Sequence, residues 1–318
     1  MITLYELHWS HYCEKIRLAL TYAGLSWQAF DIHAFSKKEL LAYPMPPYMD
    51  KRTVPAIFDA VRSEFVMDST PVLRYLCKHY PQIQTLYPGD VSNQQAIDAM
   101  LIELDTNLGL LARRFGYTQV ILECPSLLST LFLSRALGGI FTLPGLRWVA
   151  GHILGMLLCQ RFAFHQSESA HLYEALENYL LPLAQRLQTH RYVVGEDFSM
   201  ADLALAAYLR PLTIVPFFYE QPQLQSLFAY QATILAEHSQ EGLSAYQEAI
   251  TKARQLRPPV RRRIRQSEAA MPFPAVGSYA HNHQRHVWTW ETWLLPYRYL
   301  FTMRSGKVRQ TLASQCVR

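Results

Sequence analysis

The chain has 318 residues, of which 50% are hydrophobic and 17% charged, with a formal net charge of +5. That length exceeds what one core usually holds, and the composition excludes a disordered chain, so two domains plus an extension are expected. The mild positive balance makes no case by itself for nucleic acid or an anionic membrane, and five cysteines at irregular spacing (Cys13, Cys77, Cys124, Cys159, Cys316) form neither a disulfide framework nor a zinc-spaced pair, which points to a reducing, cytoplasmic setting.

The N-terminus has neither the basic n-region nor the apolar h-region of a signal peptide. Residues 2–8 alternate and favour a short strand, Ile2, Leu4 and Leu7 standing among Thr3, Tyr5 and Glu6. Ser10 stands where a helix can begin; Ile16, Leu18, Ala19, Leu20 and Ala23 recur at helical spacing, and Gly24 can close it. Trp27 to Ile32 reads as a second strand, so the opening is a βαβ unit whose strands should be parallel. After a proline-rich loop, Thr53 to Asp59 resembles a strand entered through Pro55, and Ser63 to Met67 should pair with it as a hairpin. Asp68-Ser69-Thr70-Pro71 is a helix start signal.

Residues 80–92 read as a linker, after which strand signals disappear. Helices are expected over Ser92 to Arg114, 166–189, 199–210 and 234–255, the third opened by a capping box of Ser199 and Asp202. The apolar stretch from Val120 to Leu158 is broken by Arg135, Arg147, Gly138, Gly139 and Pro144, too often for a membrane span; it reads as a buried helical hairpin, with shallow membrane contact as the alternative. The basic run from Lys252 to Arg265 lacks interleaved aromatics, so nucleic acid is not its expected partner. His281, His283 and His286 have no neighbouring ligand set, so no metal is expected, and the aromatics from Trp288 to Phe301 suit packing or a membrane interface.

Three short motifs carry chemistry. Ser10-His-Tyr-Cys13 lies between the first strand and first helix, where free N–H groups stabilise a thiolate; Ser10 either bonds such a thiolate or caps the helix. Cys13, one turn in, is either a reactive thiol or a small packing residue. Val54-Pro55, if cis, presents backbone groups that can pair with a peptide ligand as an added strand would. Asp68-Ser69 can hold a zwitterionic ligand end or simply cap its helix.

Together, residues 10–20, 53–59 and 68–70 resemble the active-site turn, cis-proline strand and γ-glutamyl-binding pair of the serine- or cysteine-type cytosolic glutathione transferases. The resemblance covers residues 1–88 and gains a fourth match in Gly195 to Asp202. It implies an α+β protein with a thioredoxin-like glutathione-binding domain over 1–80, a linker over 81–91, an all-helical domain over 92–255 and an unusual extension over 256–318. It further implies a detoxifying transferase with glutathione as co-substrate, a hydrophobic electrophile or peroxide as second substrate, and a homodimer. By the same resemblance Ser10 would bond the thiolate, Val54 beside Pro55 the cysteinyl part, Asp68 and Ser69 the γ-glutamyl group, and Lys51 or Arg52 the glycyl carboxylate. Glutathione-dependent reduction through Cys13 is a weaker variant. The alternative is a non-catalytic binding or scaffold protein on the same fold, contacting a hydrophobic ligand, membrane surface or protein complex through 120–160 or the extension.

Overall fold

The computed structural model describes residues 1–33, 36–88, 91–118, 143–162, 168–214 and 216–239. The basic run, the histidines, the aromatic cluster and the whole 256–318 extension lie outside these residues, as does 119–142 of the apolar stretch.

Strand β1 (Ile2–Glu6) buries alternate side chains, as a period of two requires. Helix α1 (His11–Tyr22) follows and ends at Gly24, whose φ of +59° is a left-handed conformation that glycine adopts freely. Strand β2 (Trp27–Asp31) then runs parallel to β1, from Ile2 opposite Trp27 to Glu6 opposite Asp31. The βαβ reading is thereby met. Strands β3 (Ala56–Asp59) and β4 (Glu64–Met67) form the expected hairpin, antiparallel to each other, with β3 antiparallel to β1. The sheet order is β2-β1-β3-β4. The Val54–Pro55 peptide is cis, and strand pairing starts only at Ala56. Helix α2 (Ser69–His79) closes this half, so the mixed sheet with flanking helices is the thioredoxin-like arrangement.

The helical half begins with α3 (Val91–Glu103), a π-helical turn at Leu104–Leu108, and α4 (Gly109–Thr118). The sequence led to one regular helix here; the extra residue per turn at 104–108 is invisible to a 3.6-residue period. Helix α5 spans Pro144–Phe162 and α6 spans Glu168–Thr189. In α7 (Met200–Leu209) every residue is buried. A helix apolar all round belongs in the centre of a domain. Its capping box is formed as expected, Ser199 accepting from the Ala201 amide and Asp202 reaching back to the Ser199 amide. Helix α8 (Gln225–His238) starts upstream of the expected helix at 234, whose remainder lies outside the described residues.

One core runs through both halves. Leu4, Ile16 and Leu20 of the sheet half join Leu104, Leu176 and Leu205 of the helical half, and α7 packs on α1. Each such leucine or isoleucine contributes about 1.5–3 kcal/mol when fully buried. Helix α5 departs from the expected buried hairpin: Leu146, Trp148, Val149, Ile153, Met156 and Leu157 are exposed. Among the described residues no helix is long and apolar enough to cross a membrane.

Candidate functional site

Sheet register brings the three motifs to one end of the molecule. Tyr5, near the C-terminal end of β1, lies opposite Ala56 at the start of β3, and Ala56 lies opposite Met67 at the end of β4. The β1–α1 turn, Val54–Pro55 and Asp68–Ser69 therefore leave the sheet along one edge. The Asp68 amide donates to the Pro55 carbonyl at 2.9 Å, which ties two of the three together.

Ser10 is the N-cap of α1 by position, yet its side chain makes no capping hydrogen bond. The hydroxyl is half-buried and contacts the Cys13 thiol instead. Cys13 itself is fully buried. Burial pushes its thiol up to about 12, outweighing the Leu7 amide and the Ser10 hydroxyl that favour the thiolate. A thiol so held stays protonated at neutral pH, which suits a packing residue and not a nucleophile.

Val54 is half-buried, and no hydrogen bond among the described residues takes up its amide. Asp68 is exposed at the N-cap of α2, with φ of +74°, a left-handed conformation uncommon outside glycine. Its carboxylate accepts from the Ser69 amide at 2.6 Å. Ser69 is buried, and its hydroxyl bonds to Tyr208 of α7. On the preceding loop the Arg52 guanidinium donates to the Leu40 carbonyl at 2.7 Å, whereas Lys51 is exposed.

Beneath these groups lies a buried polar network that sequence reading did not assemble. Lys15 of α1 is fully buried; its ammonium donates to Asp105 Oδ1 at 2.9 Å and to Thr70 Oγ1 at 3.1 Å. Thr70 and Tyr208 also donate to the Asp105 carboxylate. Asp105 sits in the π-helical turn and so joins α1, α2 and α7 at one point. Burial lowers the Lys15 pKa and the Asp105 charge opposes that shift. Next to it, His11, Tyr12 and Tyr208 pack in tilted and edge-to-face contacts with centroids 4.3 to 5.3 Å apart. The neutral His11 ring, held down to about 3 chiefly by burial, donates from Nε2 to the Gly109 carbonyl at 2.9 Å. Gly109 is there for room: a Cβ would lie 2.8 Å from Tyr12 Oη and 3.2 Å from Tyr208 Cε2.

A second buried cluster fixes the β1–α1 turn. Arg17 donates to Glu6 at 2.6 Å, to Glu14, and to the His8 carbonyl at 2.9 Å. Arg210, just past α7, donates to the same carbonyl at 3.1 Å and to Glu14 at 2.6 Å. Two guanidiniums from different halves thus hold the peptide two residues before Ser10. The available signal for both clusters was a lysine and an arginine on the apolar face of α1, where a cation needs a buried partner.

Comparison with known proteins fits this geometry. The family model described as Glutathione S-transferase, N-terminal domain, matches residues 4–84, and that described as Glutathione S-transferase, C-terminal domain, matches residues 146–237, together more than half of the chain. No curated protein matches. Among solved structures, Glutathione S-transferase unclassified 2 from Bombyx mori superposes with a TM-score of 0.52 at 16% identity, covering 81% of this chain and 99% of that one. Ure2p5 from Phanerochaete chrysosporium, cocrystallized with 1-(S-glutathionyl)-2,4-dinitrobenzene, gives 0.51 at 13% identity, covering 80% and 96%. A delta-class glutathione transferase from Nilaparvata lugens gives 0.50 at 17% identity, covering 80% and 100%. Identities this low speak for the fold alone.

Proposed function

The chain belongs to the glutathione S-transferase family, and from that premise we propose that it binds glutathione at the C-terminal end of β1 and activates the thiol for attack on a hydrophobic electrophile or a peroxide. The observation that carries this reading is the register of β1, β3 and β4, which gathers the reactive turn, the Val54 amide and the exposed Asp68 carboxylate on one edge. The tripeptide lies along that edge as an added strand would, its cysteinyl part on the Val54 amide. Its γ-glutamyl ammonium meets Asp68, and Lys51 meets the glycyl carboxylate. Ser69, buried and bonded to Tyr208, acts by fixing the start of α2 and not by direct contact.

Catalysis in this reading is thiolate stabilisation. The Ser10 hydroxyl, free of the capping role, donates to the glutathione sulfur at the N-terminus of α1, and both lower the thiol pKa. The proton leaves to solvent, and the sulfur forms a bond to the electrophilic carbon as the leaving group departs. Such chemistry needs reduced glutathione, which agrees with a cytoplasmic setting.

Calorimetric titration with glutathione tests this. Binding in the micromolar to millimolar range is expected for the native chain, with at least about a tenfold loss in Asp68→Ala as a charge-assisted contact disappears. Ser10→Ala should keep binding, lose the ultraviolet absorbance of the bound thiolate and slow conjugation of chlorodinitrobenzene by roughly 100- to 1,000-fold. No binding to the native chain, or binding indifferent to both substitutions, would sink the reading. The second reading, a binding protein that keeps the fold without the chemistry, then gains; the exposed apolar side chains of α5 are the observation in its favour.

A further inference from the structure

We propose that the solvent face of α5 is a docking surface for an anionic lipid bilayer, independent of whether glutathione binds. Leu146, Val149, Ile153, Met156 and Leu157 are all exposed and recur at spacings of three and four, so they form one stripe along a helix of about 28 Å. The opposite stripe is different in kind: Gly151, Gly155 and Leu158 are buried. Two glycines and one leucine face inward while five large apolar side chains face water, the reverse of what a soluble helix requires. Ile153 and Met156 are 50% and 52% exposed, far more than scattered surface apolars would need. Trp148, at 59%, flanks the stripe with a ring suited to the headgroup boundary.

Among the described elements none packs extensively on α5. A helix of 19 residues carrying two mid-helix glycines is marginal in water by itself, and burial of its exposed apolar face would add to its stability.

Charge selects the occupant. From Cys124 to Ser167 the sequence contains no aspartate or glutamate, while Arg135, Arg147 and Arg161 punctuate it. Arg147 and Arg161 stand near the two ends of α5. A second copy would bring the same cations face to face. The chain's own segment from Lys252 to Arg265 is still more basic, with seven cations and no acid. An anionic lipid surface complements this acid-free, basic sequence and offers hydrocarbon to the stripe. The helix lies on that surface and does not span it.

The test is flotation of the full chain with phosphatidylcholine vesicles, with and without about one third phosphatidylglycerol. The native chain should float with the anionic vesicles only, and release as salt is raised toward about 0.5 M. The double variant Ile153→Glu, Met156→Glu should bind the vesicles about a hundredfold less, because two carboxylates replace two inserted apolar side chains. Both positions are exposed, so its circular dichroism and its behaviour toward glutathione should match the native chain, separating lost docking from lost folding. Absence of flotation with anionic vesicles, or flotation unchanged in the double variant, overturns the proposal. So does a native oligomer that the double variant converts to monomer in analytical ultracentrifugation, since a second copy is then the occupant.

Discussion

Replacing Asp105 by asparagine removes one negative charge and almost no volume, which makes the energetics of the buried network measurable. Lys15 has no exposed surface, and Asp105 is its anionic partner at 2.9 Å, with Thr70 as the other acceptor. Breaking a buried pair from one side costs about 3–5 kcal/mol, because the remaining charge is stranded. The Asp105 side chain is 25% exposed, so water relieves part of this and the lower figure, about 3 kcal/mol, applies. For a chain of this size that is roughly 6–12 °C in melting temperature, read by circular dichroism. The pH dependence gives a second signature. In the variant the burial that lowers the Lys15 pKa has lost its chief opponent, so the folded-state value lies further below the ordinary 10.5 than in the native chain. Both chains therefore gain stability as pH rises toward that value, the variant over the wider range, so its gap from the native chain narrows with rising pH by up to about 1.4 kcal/mol per unit until the native Lys15 also loses its proton. Adding Lys15→Met should restore part of the loss, since the stranded charge is gone. A variant within about 0.5 kcal/mol of the native chain at neutral pH, or a gap that nowhere narrows as pH rises, would refute the reasoning.

Two glycines of α4 should respond oppositely to alanine. Gly109→Ala drives a methyl against Tyr12 and Tyr208 and should lose about 1–3 kcal/mol; Gly116→Ala meets Pro211 Cβ at an ordinary 3.4 Å and should gain about 0.5–1 kcal/mol from helix propensity, both read by urea denaturation. His11→Gln keeps a donor for the Gly109 carbonyl but cannot titrate. The native chain alone must exclude a proton from a ring whose pKa is about 3 folded against an ordinary 6.5, so its stability advantage over the variant should shrink by about 1.4 kcal/mol per unit as pH falls below 6.5; an advantage constant from pH 7 to about pH 4 would contradict the burial of this histidine.

Much of the fold was legible because it is local. Period-two alternation in Ile2–Glu6, the glycine after α1, the Asp68 start of α2 and the Ser199 capping box each follow from a few adjacent residues. The candidate site was legible only as three separate motifs; their meeting depends on strand register, which no single segment encodes. Lys15 and Asp105 lie ninety residues apart, and their pairing needs the π-helical turn, whose sequence of Leu-Asp-Thr-Asn-Leu reads as ordinary helix. The apolar pattern of 144–162 was equally visible, but apolarity alone does not say whether a helix is covered by protein, and here its large side chains face outward.

The Arg210 guanidinium reaches the His8 carbonyl across 202 positions of chain. A ribosome delivers those positions in order, at about 5–20 residues per second, so some ten seconds or more separate the appearance of the turn from that of its second clamp. During that interval the βαβ unit can pair its strands, and the His8 carbonyl has the first of its two guanidinium donors, Arg17. The turn before Ser10 is made early in translation, and its second guanidinium clamp arrives late.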